Sequence, residues 1–289
     1  MMMTNNENES LEDAEVAASE AFRVLRPREY YRRFLKRGVR PDGRGLDDSR
    51  PLTVTTGEVE TADGSATVKL GGTTVIAGVT YEVAEPTSSA PSDGFVDIRV
   101  HIGPMCSDSP ALRSGSAKMT SDEAHCVAEY LKRAIQSSNC VDNLDLCIHP
   151  GKAVWVLRAE LICLNHDGNV WDAAMVALMA ALRDAKLPSN VELSKDGEVV
   201  IVGDDISRKV VFNTILTPLT FALYGKDAII DPTAEEETTC DGILTVVCNG
   251  KGEACTIRKP GGAPLTRSQI KACVKMCAAR AAKNALHRP

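Results

Sequence analysis

The chain has 289 residues, of which 44% are hydrophobic and only 4% aromatic, and it carries a formal net charge of -6. That length and hydrophobic content are enough for one large domain or two small ones with a buried core, while the scarcity of aromatic residues excludes a broad stacking surface for nucleotide bases. The acidic balance argues against a surface that attracts a polyanion everywhere, and no apolar run approaches the roughly 20 residues needed to cross a bilayer, so no membrane partner is expected.

The acidic charge is concentrated at the N-terminus. Residues 1–20 contain acidic side chains but no Lys or Arg. Their polar composition predicts a disordered acidic tail, because it lacks the apolar residues that would offset the entropy of ordering. We expect the folded domain to span residues 21–289. Whether the tail binds a partner or only increases solubility stays open.

An arginine-rich segment follows the tail, with ten basic side chains from Arg23 to Arg50. Residues 17–36 favour a helix that is interrupted at Pro27 and stopped by Gly38. We interpret the arginine-rich face of this helix as solvated surface in preference to a nucleic-acid-binding stripe.

The sequence pattern becomes β from Leu52 onward, where short apolar runs are separated by the turn signals ADGS and LGG. FVDIRVHIG is expected to continue the sheet. A loop rich in Ser and Pro, CSDSPALRSGSAKM, then leads to a helix in TSDEAHCVAEYLKRAIQS, for which Thr120 and Glu123 form a predicted capping box. The apolar face of that helix consists of residues at helical spacing, namely Ala124, Val127, Ala128, Leu131 and Ile135.

The same order of elements recurs in the second half. AVWVLRAELICLNHDGNVW is predicted to be a long strand hairpin that turns at HDGN, and WDAAMVALMAALRDA is a mostly apolar helix that must be buried on nearly all sides. Further strands are expected in GEVVIVG, KVVFN, FALYG, AIID, ILTVVCNG and ACTIRK, before a closing helix capped by Thr266 and Gln269. This order indicates an α+β fold in which two β-α halves pack as one domain.

The ten cysteines are interpreted as free thiols in a reducing compartment, because nothing at the N-terminus resembles a signal peptide. They lack paired metal-ligand spacing, so we predict small core hydrophobes rather than a zinc site, and we expect neither a metal nor a cofactor. His149 and His166 have no partner at a spacing that suggests a catalytic triad, and His125 is interpreted as a surface or core residue.

Five segments together resemble the RNase PH-like proteins and, among them, the eukaryotic RNA exosome ring subunits. They are PREYYRRFLKRGVRPDGRGLDDSRPLTV, TADGSATVKLGGTTVIAGV, PGKAVWVL, LNHDGNVWDAAMVALMAAL and DPTAEEE. The form DPT-x-EEE is similar to the branch related to the non-catalytic partner subunit of the archaeal ring. The resemblance covers the chain from about Pro27 to the C-terminus.

The resemblance implies an RNase PH-like fold and a six-membered ring through which single-stranded RNA passes. It also implies the partners, which are other RNase PH-like ring subunits, cap subunits and single-stranded RNA, and a location in the nucleus and nucleolus as well as the cytoplasm. Active members of the family cut RNA from its 3′ end with inorganic phosphate as the nucleophile. That reaction needs groups that hold phosphate, a carboxylate pair near the scissile bond and arginines along the RNA backbone.

The carboxylate pair is altered in this sequence. Active members carry two aspartates six residues apart, and the matching positions here are Asp231 and Glu237. Since a displacement of about 1 Å can reduce a rate about a hundredfold, we interpret this pair as a degenerate remnant. The structural alternative is that Glu235, Glu236 and Glu237 begin a solvated turn that Asp231 caps, and we favour that alternative.

The phosphate-binding groups are altered as well. In place of an Arg beside a Ser or Thr before the long strand, the chain has Lys152 and Ala153, which offer a point charge without a guanidinium fork or a hydroxyl. The Gly-Thr-Arg-Thr-Ala turn of active members is replaced by GNVWDAA at residues 168–174. RNA contacts are still expected, and the candidate basic residues are Arg99, Arg113, Lys118 and Lys152.

Three hypotheses follow from these observations. The leading one is a non-catalytic structural ring subunit of the RNA exosome, which supports 3′-to-5′ RNA processing and degradation by scaffolding the ring and guiding single-stranded RNA. The second is a phosphorolytic 3′-to-5′ exoribonuclease, active alone or with a partner subunit. The third is an independent binding module, since the apolar strands and the apolar helix could all be satisfied within one monomer.

Overall fold

The β-rich segment that begins at Leu52 forms a six-stranded sheet. The computed structural model describes residues 20–103, 105–106, 117–189, 191–193, 199–201 and 206–286. Within them, the sheet contains β1 (Leu52–Thr56), β2 (Gly64–Leu70), β3 (Thr73–Ala84), β4 (Phe95–Ile102), β5 (Cys147–His149) and β6 (Ala153–Asn165). The strand order is β1-β2-β3-β6-β4, with β5 pairing to the start of β6. Strand β4 runs parallel to β6, and the other pairs are antiparallel.

The second half contains a four-stranded antiparallel sheet and two short ribbons. The sheet has the order β12-β11-β13-β14, and its strands are β11 (Thr217–Tyr224), β12 (Asp227–Ile230), β13 (Gly242–Cys248) and β14 (Ala254–Arg258). The ribbons pair β7 (Lys186–Pro188) with β10 (Ile206–Lys209), and β8 (Val191–Leu193) with β9 (Val199–Ile201).

Five helices, besides the helical residues 20–25, complete the fold of the described residues. They are α1 (Pro27–Leu35), α2 (Ala117–Ser138), α3 (Val170–Asp184), α4 (Ala234–Thr239) and α5 (Arg267–Leu286). Helix α2 packs on β4 and β14, and α5 packs on β11 and β13. Helix α3 packs on β2 and β3 of one sheet and on β11 of the other, so it joins the two halves. The α+β fold with two β-α halves is therefore confirmed.

Helix α3 is the central element of the core. Eleven of its 15 residues are buried, which confirms the prediction that this helix is covered on nearly all sides. The main hydrophobic cluster contains α3 together with residues of both halves, including Val68 and Trp155 from the first and Leu216 and Val247 from the second. Within the described residues, the main core is therefore shared by both halves.

Several local predictions are confirmed. Residues 20–25 are helical, the helix breaks at Arg26, and α1 starts at Pro27, where a missing N–H is tolerated. The predicted capping box before α5 is present, since the Thr266 N–H donates to Gln269 Oε1 at 3.0 Å and the Gln269 N–H donates to Thr266 Oγ1 at 3.3 Å. All ten cysteines are free thiols, and seven of them are buried.

Three local predictions are wrong. Helix α2 begins at Ala117, so Thr120 lies inside it and cannot form an N-terminal capping box with Glu123. HDGN is a strand-to-helix turn between β6 and α3 rather than a hairpin, because Asn169 adopts a left-handed conformation and begins the helix. Only Lys209 of KVVFN lies in a strand, since Val210 instead packs into the main core.

The predicted disordered tail lies outside the described residues, apart from Glu20, which is helical. Arg113 also lies outside them. Within the described chain, no helix combines the length and apolar character that a membrane crossing requires.

Candidate functional site

The acidic segment after β12 forms a buried turn followed by the short helix α4. Asp231 follows the strand with a φ of 51°, and Thr233 is the N-cap of α4. The Thr233 N–H donates to Glu236 Oε2 at 2.9 Å, and the Glu236 N–H donates back to Thr233 Oγ1 at 3.5 Å. This capping box fixes the start of α4. The side chains of Glu235, Glu236 and Glu237, which follow one another in its first turn, therefore point in three different directions.

Glu236 points inward and pairs with Arg40. The Arg40 side chain is fully buried, and its Nε donates to Glu236 Oε1 at 2.9 Å. The same guanidinium donates to the main-chain carbonyls of Ile230 at 2.7 Å and Asp231 at 3.0 Å. Of the three glutamates only Glu235, which pairs with Arg23 and Tyr31, has a side chain half exposed. The interpretation of this segment as a solvated turn is therefore wrong.

Asp231 is held by Arg50 and Asn169. Its Oδ2 accepts hydrogen bonds from the Arg50 backbone N–H at 2.8 Å and from Arg50 Nε at 3.0 Å. Its Oδ1 accepts from Arg50 Nη2 at 2.9 Å and from Asn169 Nδ2 at 2.7 Å. Burial raises the pKa of Asp231, but the hydrogen bonds and charge of Arg50 outweigh it, and the net shift of the pKa is downward. Asp231 is thus an ionised carboxylate with both oxygens already engaged.

Asn169 connects the carboxylates of Asp231 and Glu237. Its side chain donates to Asp231 Oδ1 at 2.7 Å, and its backbone N–H donates to Glu237 Oε1 at 2.8 Å. The same Nδ2 donates to Asp172 Oδ2 at 2.9 Å. Asn169 and Asp231 are two of the three residues other than glycine with a positive φ in the described chain. Backbone strain is therefore concentrated here, where hydrogen bonds hold both residues in place.

Asp172 and Glu237 are carboxyl groups with raised pKa values. Burial raises the pKa of Asp172 to about 6, although it accepts hydrogen bonds from Thr220 N–H at 2.9 Å and Thr220 Oγ1 at 2.8 Å. Burial also raises the pKa of Glu237 to about 7, because a single backbone N–H and nearby charges only partly offset its desolvation. Glu237 is therefore about half protonated near neutral pH.

His166 is buried and lies close to Glu237. Its Nε2 is 3.7 Å from Glu123 Oε1 and has no hydrogen-bond partner in the described chain, while its Nδ1 accepts from the Gly168 N–H at 3.2 Å. Burial lowers the pKa of His166, but the carboxylates of Glu123 and Glu237 raise it more, so the net shift is upward. The structure thus brings His166 close to two carboxylates, those of Glu123 and Glu237, which lie 43 and 71 residues away in the sequence and which sequence spacing alone did not indicate.

Three arginines of this site form ion pairs with its own carboxylates. Arg40 pairs with Glu236, Arg50 with Asp231, and Arg44 with Asp42 and Asp231. The N-terminus of α3, which would otherwise attract an anion, faces the carboxyl groups of Asp172 and Glu237. Within the described residues, no three His, Cys, Asp or Glu side chains meet in a metal-binding arrangement.

The structure separates the predicted basic residues into two locations. Arg99 lies on β4 with its side chain half exposed, 3.6 Å from Asp97, near the end of the sheet where β6 leads into His166. Lys118 is in the first turn of α2 on the same side. Lys152 precedes β6 at its opposite end, and the 12 residue steps of that strand span roughly 40 Å. Lys152 therefore lies apart from the end of β6 that leads to His166, and its contribution to one RNA-contacting lining with the other basic residues stays a prediction.

The sequence analysis missed the partners of the acidic segment, namely Arg40, Arg50, Asn169 and Asp172. A signal was present, because Arg40 and Arg50 lie in a Gly- and Asp-rich segment without helical periodicity, where a solvated helix face does not explain them. The Gly-Asn pair at residues 168–169 was also a signal, since Asn tolerates the left-handed conformation.

Comparisons with known proteins identify relatives across most of the chain. Residues 48–188 match the model of domain 1 of the 3′ exoribonuclease family (RNase_PH), and residues 215–280 match domain 2 of that family. Exosome complex component rrp43 of Schizosaccharomyces pombe is 32% identical over 255 residues, which cover 88% of this chain and 92% of that protein. Exosome complex component Rrp42 of Aeropyrum pernix is 34% identical over 244 residues, which cover 84% of this chain and 86% of that protein.

Solved structures show the same architecture. A chain of the Archaeoglobus fulgidus exosome with RNA bound to the active site is 28% identical and superposes with a TM-score of 0.75 over 89% of this chain and 95% of that chain. A chain described as archaeal exosome core is 25% identical, with a TM-score of 0.74 over 95% of this chain and 97% of that chain.

Proposed function

Because the chain belongs to the 3′ exoribonuclease family, of which RNase PH is the namesake, we propose that it is a ring subunit of an RNA exosome that does not itself cleave RNA. The family and the RNase PH-like fold predicted from the sequence are confirmed. The ring role is supported by full-length relatives that are exosome components. Their named assembly suggests other RNase PH-like ring subunits, cap subunits and single-stranded RNA as the partners.

The observation that carries the non-catalytic part of the proposal is the saturation of Asp231. A carboxylate that assists phosphorolysis needs a free oxygen for a metal ion or for a proton in transit. Asp231 Oδ2 accepts two hydrogen bonds from Arg50, and Oδ1 accepts one from Arg50 and one from Asn169. Reaching substrate would require breaking a buried ion pair, which strongly opposes that use.

The electrostatics at α3 support the same proposal. Phosphate attacking an RNA chain needs a cation or free N–H groups directed at it. Here Glu237 accepts a hydrogen bond from the Asn169 N–H at 2.8 Å, and Arg40, Arg44 and Arg50 are each paired with a carboxylate. An incoming phosphate would therefore meet carboxyl groups at the helix N-terminus.

Guidance of RNA is proposed for the end of the sheet near His166. Arg99 and Lys118 lie on this side, and Arg113 belongs to the segment between β4 and α2 that joins them. Phosphate contacts need charge rather than a base-specific geometry, so exposed side chains suffice. Lys152 stays a candidate for a separate RNA contact. The proposed locations are the nucleus and nucleolus, and also the cytoplasm.

The test is the release of nucleoside diphosphates from a single-stranded RNA, with and without inorganic phosphate. The purified chain and the reconstituted ring are compared, each with wild-type sequence and with Asp231→Asn. We expect no phosphate-dependent release that Asp231→Asn removes. Phosphate-dependent release from the wild type that is lost in Asp231→Asn, while circular dichroism shows that this variant is folded, would establish the rival function, a phosphorolytic exoribonuclease. A wild-type chain that joins no ring would contradict the subunit role.

A further inference from the structure

Helix α5 carries charged side chains of one sign only. Its 20 residues include five Lys or Arg and no Asp or Glu, although the whole chain has a formal net charge of -6. Helix α2, by comparison, carries three acidic and three basic side chains. Because mixed signs are usual on a solvated helix face, the composition of α5 needs a different explanation.

Three of these basic side chains form a row along the outside of α5. Arg267, Lys271 and Lys275 follow one another at intervals of four residues, so they lie on one side of the helix, and all three are exposed. At 1.5 Å per residue, the row is about 12 Å long. That length exceeds the axial spacing of successive phosphates in one strand of a duplex, about 3.4 Å, so the row can contact several phosphates.

A fourth exposed basic side chain, Lys251, lies beside the end of this row. It belongs to the turn between β13 and β14, and that turn approaches α5 closely, since a Cβ at Gly252 would lie 3.4 Å from the Ala278 Cβ. The acidic residue of the same turn, Glu253, accepts a hydrogen bond from Asn249 Nδ2 at 2.8 Å. The side chains of Arg267, Lys271, Lys275 and Lys251 together form the basic row.

No carboxylate of the described chain neutralises the basic row. None of its four side chains makes a hydrogen bond or an ion pair with the residues that the structure describes. The arginines at the start of the described chain differ, because Arg23, Arg26 and Arg32 are each paired with a carboxylate. The charge of the basic row is therefore available to a partner.

The basic row also destabilises the helix that carries it. Like charges four residues apart repel one another, which applies to the pair of Arg267 and Lys271 and to the pair of Lys271 and Lys275. Arg267 lies in the first turn of α5, where the positive end of the helix dipole disfavours a cation and where no acidic side chain is present. An anion bound along the row would relieve both repulsions.

The other exposed residues of α5 distinguish between kinds of anionic partner. Ser268, Ala272 and Ala279 are exposed and small, and none of the exposed large hydrophobic residues of the described chain lies on this helix. Protein interfaces usually contain a buried aromatic or apolar anchor and are poor in lysine, so this face does not suit a protein partner. Phosphate contacts need only charge, and without aromatic side chains the face cannot stack bases.

We propose that the basic row binds the phosphodiester backbone of RNA, without preference for base sequence. This inference rests on the proposed ring function, and it adds an RNA-contacting surface on the second half of the fold to the residues proposed for RNA guidance on the first. The exposed small residues between the basic side chains let the backbone approach the helix closely.

The first experiment measures RNA binding after the row has been neutralised. Fluorescence anisotropy with two single-stranded RNAs of unrelated sequence, at several salt concentrations, compares wild type with the triple variant Arg267→Ala, Lys271→Ala and Lys275→Ala, as purified full chain and as reconstituted ring. Alanine favours the helix, so α5 should persist. We expect both RNAs to bind at least tenfold more weakly and the magnitude of the salt slope to fall by about 2, as for three phosphate contacts. An unchanged slope overturns the inference.

A matched variant removes the same charge elsewhere. Arg28, Lys36 and Arg37 are exposed on and just after α1, and they too have no hydrogen bond or ion pair from their side chains within the described residues. Circular dichroism first shows that both triple variants fold. Changing these three residues to Ala should weaken RNA binding less than threefold. Equal weakening by the two triple variants would mean that only the total charge matters, and the basic row would have no special role.

The second experiment identifies the occupant in the assembled ring. The photo-crosslinking residue p-benzoylphenylalanine replaces Ala272, which is exposed between Lys271 and Lys275. We expect a crosslink to single-stranded RNA. A crosslink to another protein, or none to RNA, contradicts the proposed occupant. A chain that enters no ring would contradict the proposed function instead, while the anisotropy of the purified full chain would still decide whether the basic row binds RNA.

Discussion

Arg50 and Asp231 form a two-pronged ion pair, with Nη2 2.9 Å from Oδ1 and Nε 3.0 Å from Oδ2. The Arg50 backbone N–H adds a third bond to Oδ2 at 2.8 Å. Both side chains are less than a tenth exposed, so water cannot replace a lost partner. The pair connects the segment before β1 to the end of β12, which are far apart in the chain.

Removing the charge of Asp231 should strongly destabilise the protein. We expect Asp231→Asn to lower the free energy of unfolding by about 3–5 kcal/mol, because it leaves the Arg50 guanidinium buried without a counter-charge. Asn tolerates the positive φ of 51° at this position, so the effect reports charge rather than backbone strain. Urea unfolding of the full chain measures it. A loss below about 1 kcal/mol, the size of a surface ion pair, would contradict the argument.

The stability should depend on pH through Glu237. Its pKa is about 7 in the folded protein and 4.5 in the reference state, so the folded state binds the proton more tightly and stability falls as pH rises from about 4.5 to about 7. Glu237→Gln removes this loss. Relative to wild type, it should gain about 1–3 kcal/mol between pH 5 and pH 8, because the raised pKa of Glu237 lowers stability over this range and solvent screening reduces the effect.

A neighbouring glutamate provides the control for that measurement. The pKa of Glu235 is lowered, since Arg23 and Tyr31 outweigh its partial burial, so its contribution is already complete above about pH 4.5. Glu235→Gln should therefore show no change between pH 5 and pH 8. Parallel pH profiles for the two variants would refute the assignment to Glu237.

Restoring three family residues together should not create an enzyme. We expect Glu237→Asp, combined with Lys152→Arg and Ala153→Ser, to release nucleoside diphosphates only at background level. The physical reason is that residues 152 and 153 lie at the opposite end of β6 from Asp231, while Arg50 still occupies both oxygens of Asp231. Phosphate-dependent release by the purified triple variant would show that the site lacks only these groups.

Gly168 should be more sensitive to substitution than a glycine of similar conformation elsewhere. A Cβ at Gly168 would lie 2.4 Å from the Ala234 nitrogen, whereas one at Gly151 would have no neighbour within 4 Å. Both have a positive φ, of 80° and 75°. We expect Gly151→Ala to cost about 1–2 kcal/mol from strain alone, and Gly168→Ala about 1–3 kcal/mol more from overpacking. Thermal unfolding compares them, and equal losses would show that α4 can move aside.

Arg99 should contribute to RNA binding by the assembled ring. Arg99→Ala should weaken binding of unrelated single-stranded RNAs to a similar degree and reduce the magnitude of the salt slope by about 0.7, as expected for one phosphate contact. Lys226→Ala is the control, because it removes one positive charge at an exposed turn between β11 and β12. Fluorescence anisotropy at several salt concentrations measures both. An unchanged slope for Arg99→Ala would remove this residue from the RNA path.

Local signals predicted much of the fold and little of the site. The helix break at Pro27 and the capping box of Thr266 and Gln269 depend on residues within a few positions of each other, and both are present. HDGN was misread because Asp, Gly and Asn serve hairpins and helix starts equally well. The burial of Glu236 and Asp231 could not be inferred locally, since their partners Arg40 and Arg50 are 196 and 181 residues away.

The position of α3 between two sheets has a consequence for synthesis on the ribosome. The helix ends at Asp184, but β11, which packs against it, ends at Tyr224, 40 residues later. At about 5–20 residues per second, the apolar face that β11 will cover stays open for roughly 2–8 s after the helix has been made. During that interval the nascent chain exposes an apolar helical surface of a kind that chaperones bind. A pause in translation between residues 184 and 224 would prolong this exposure.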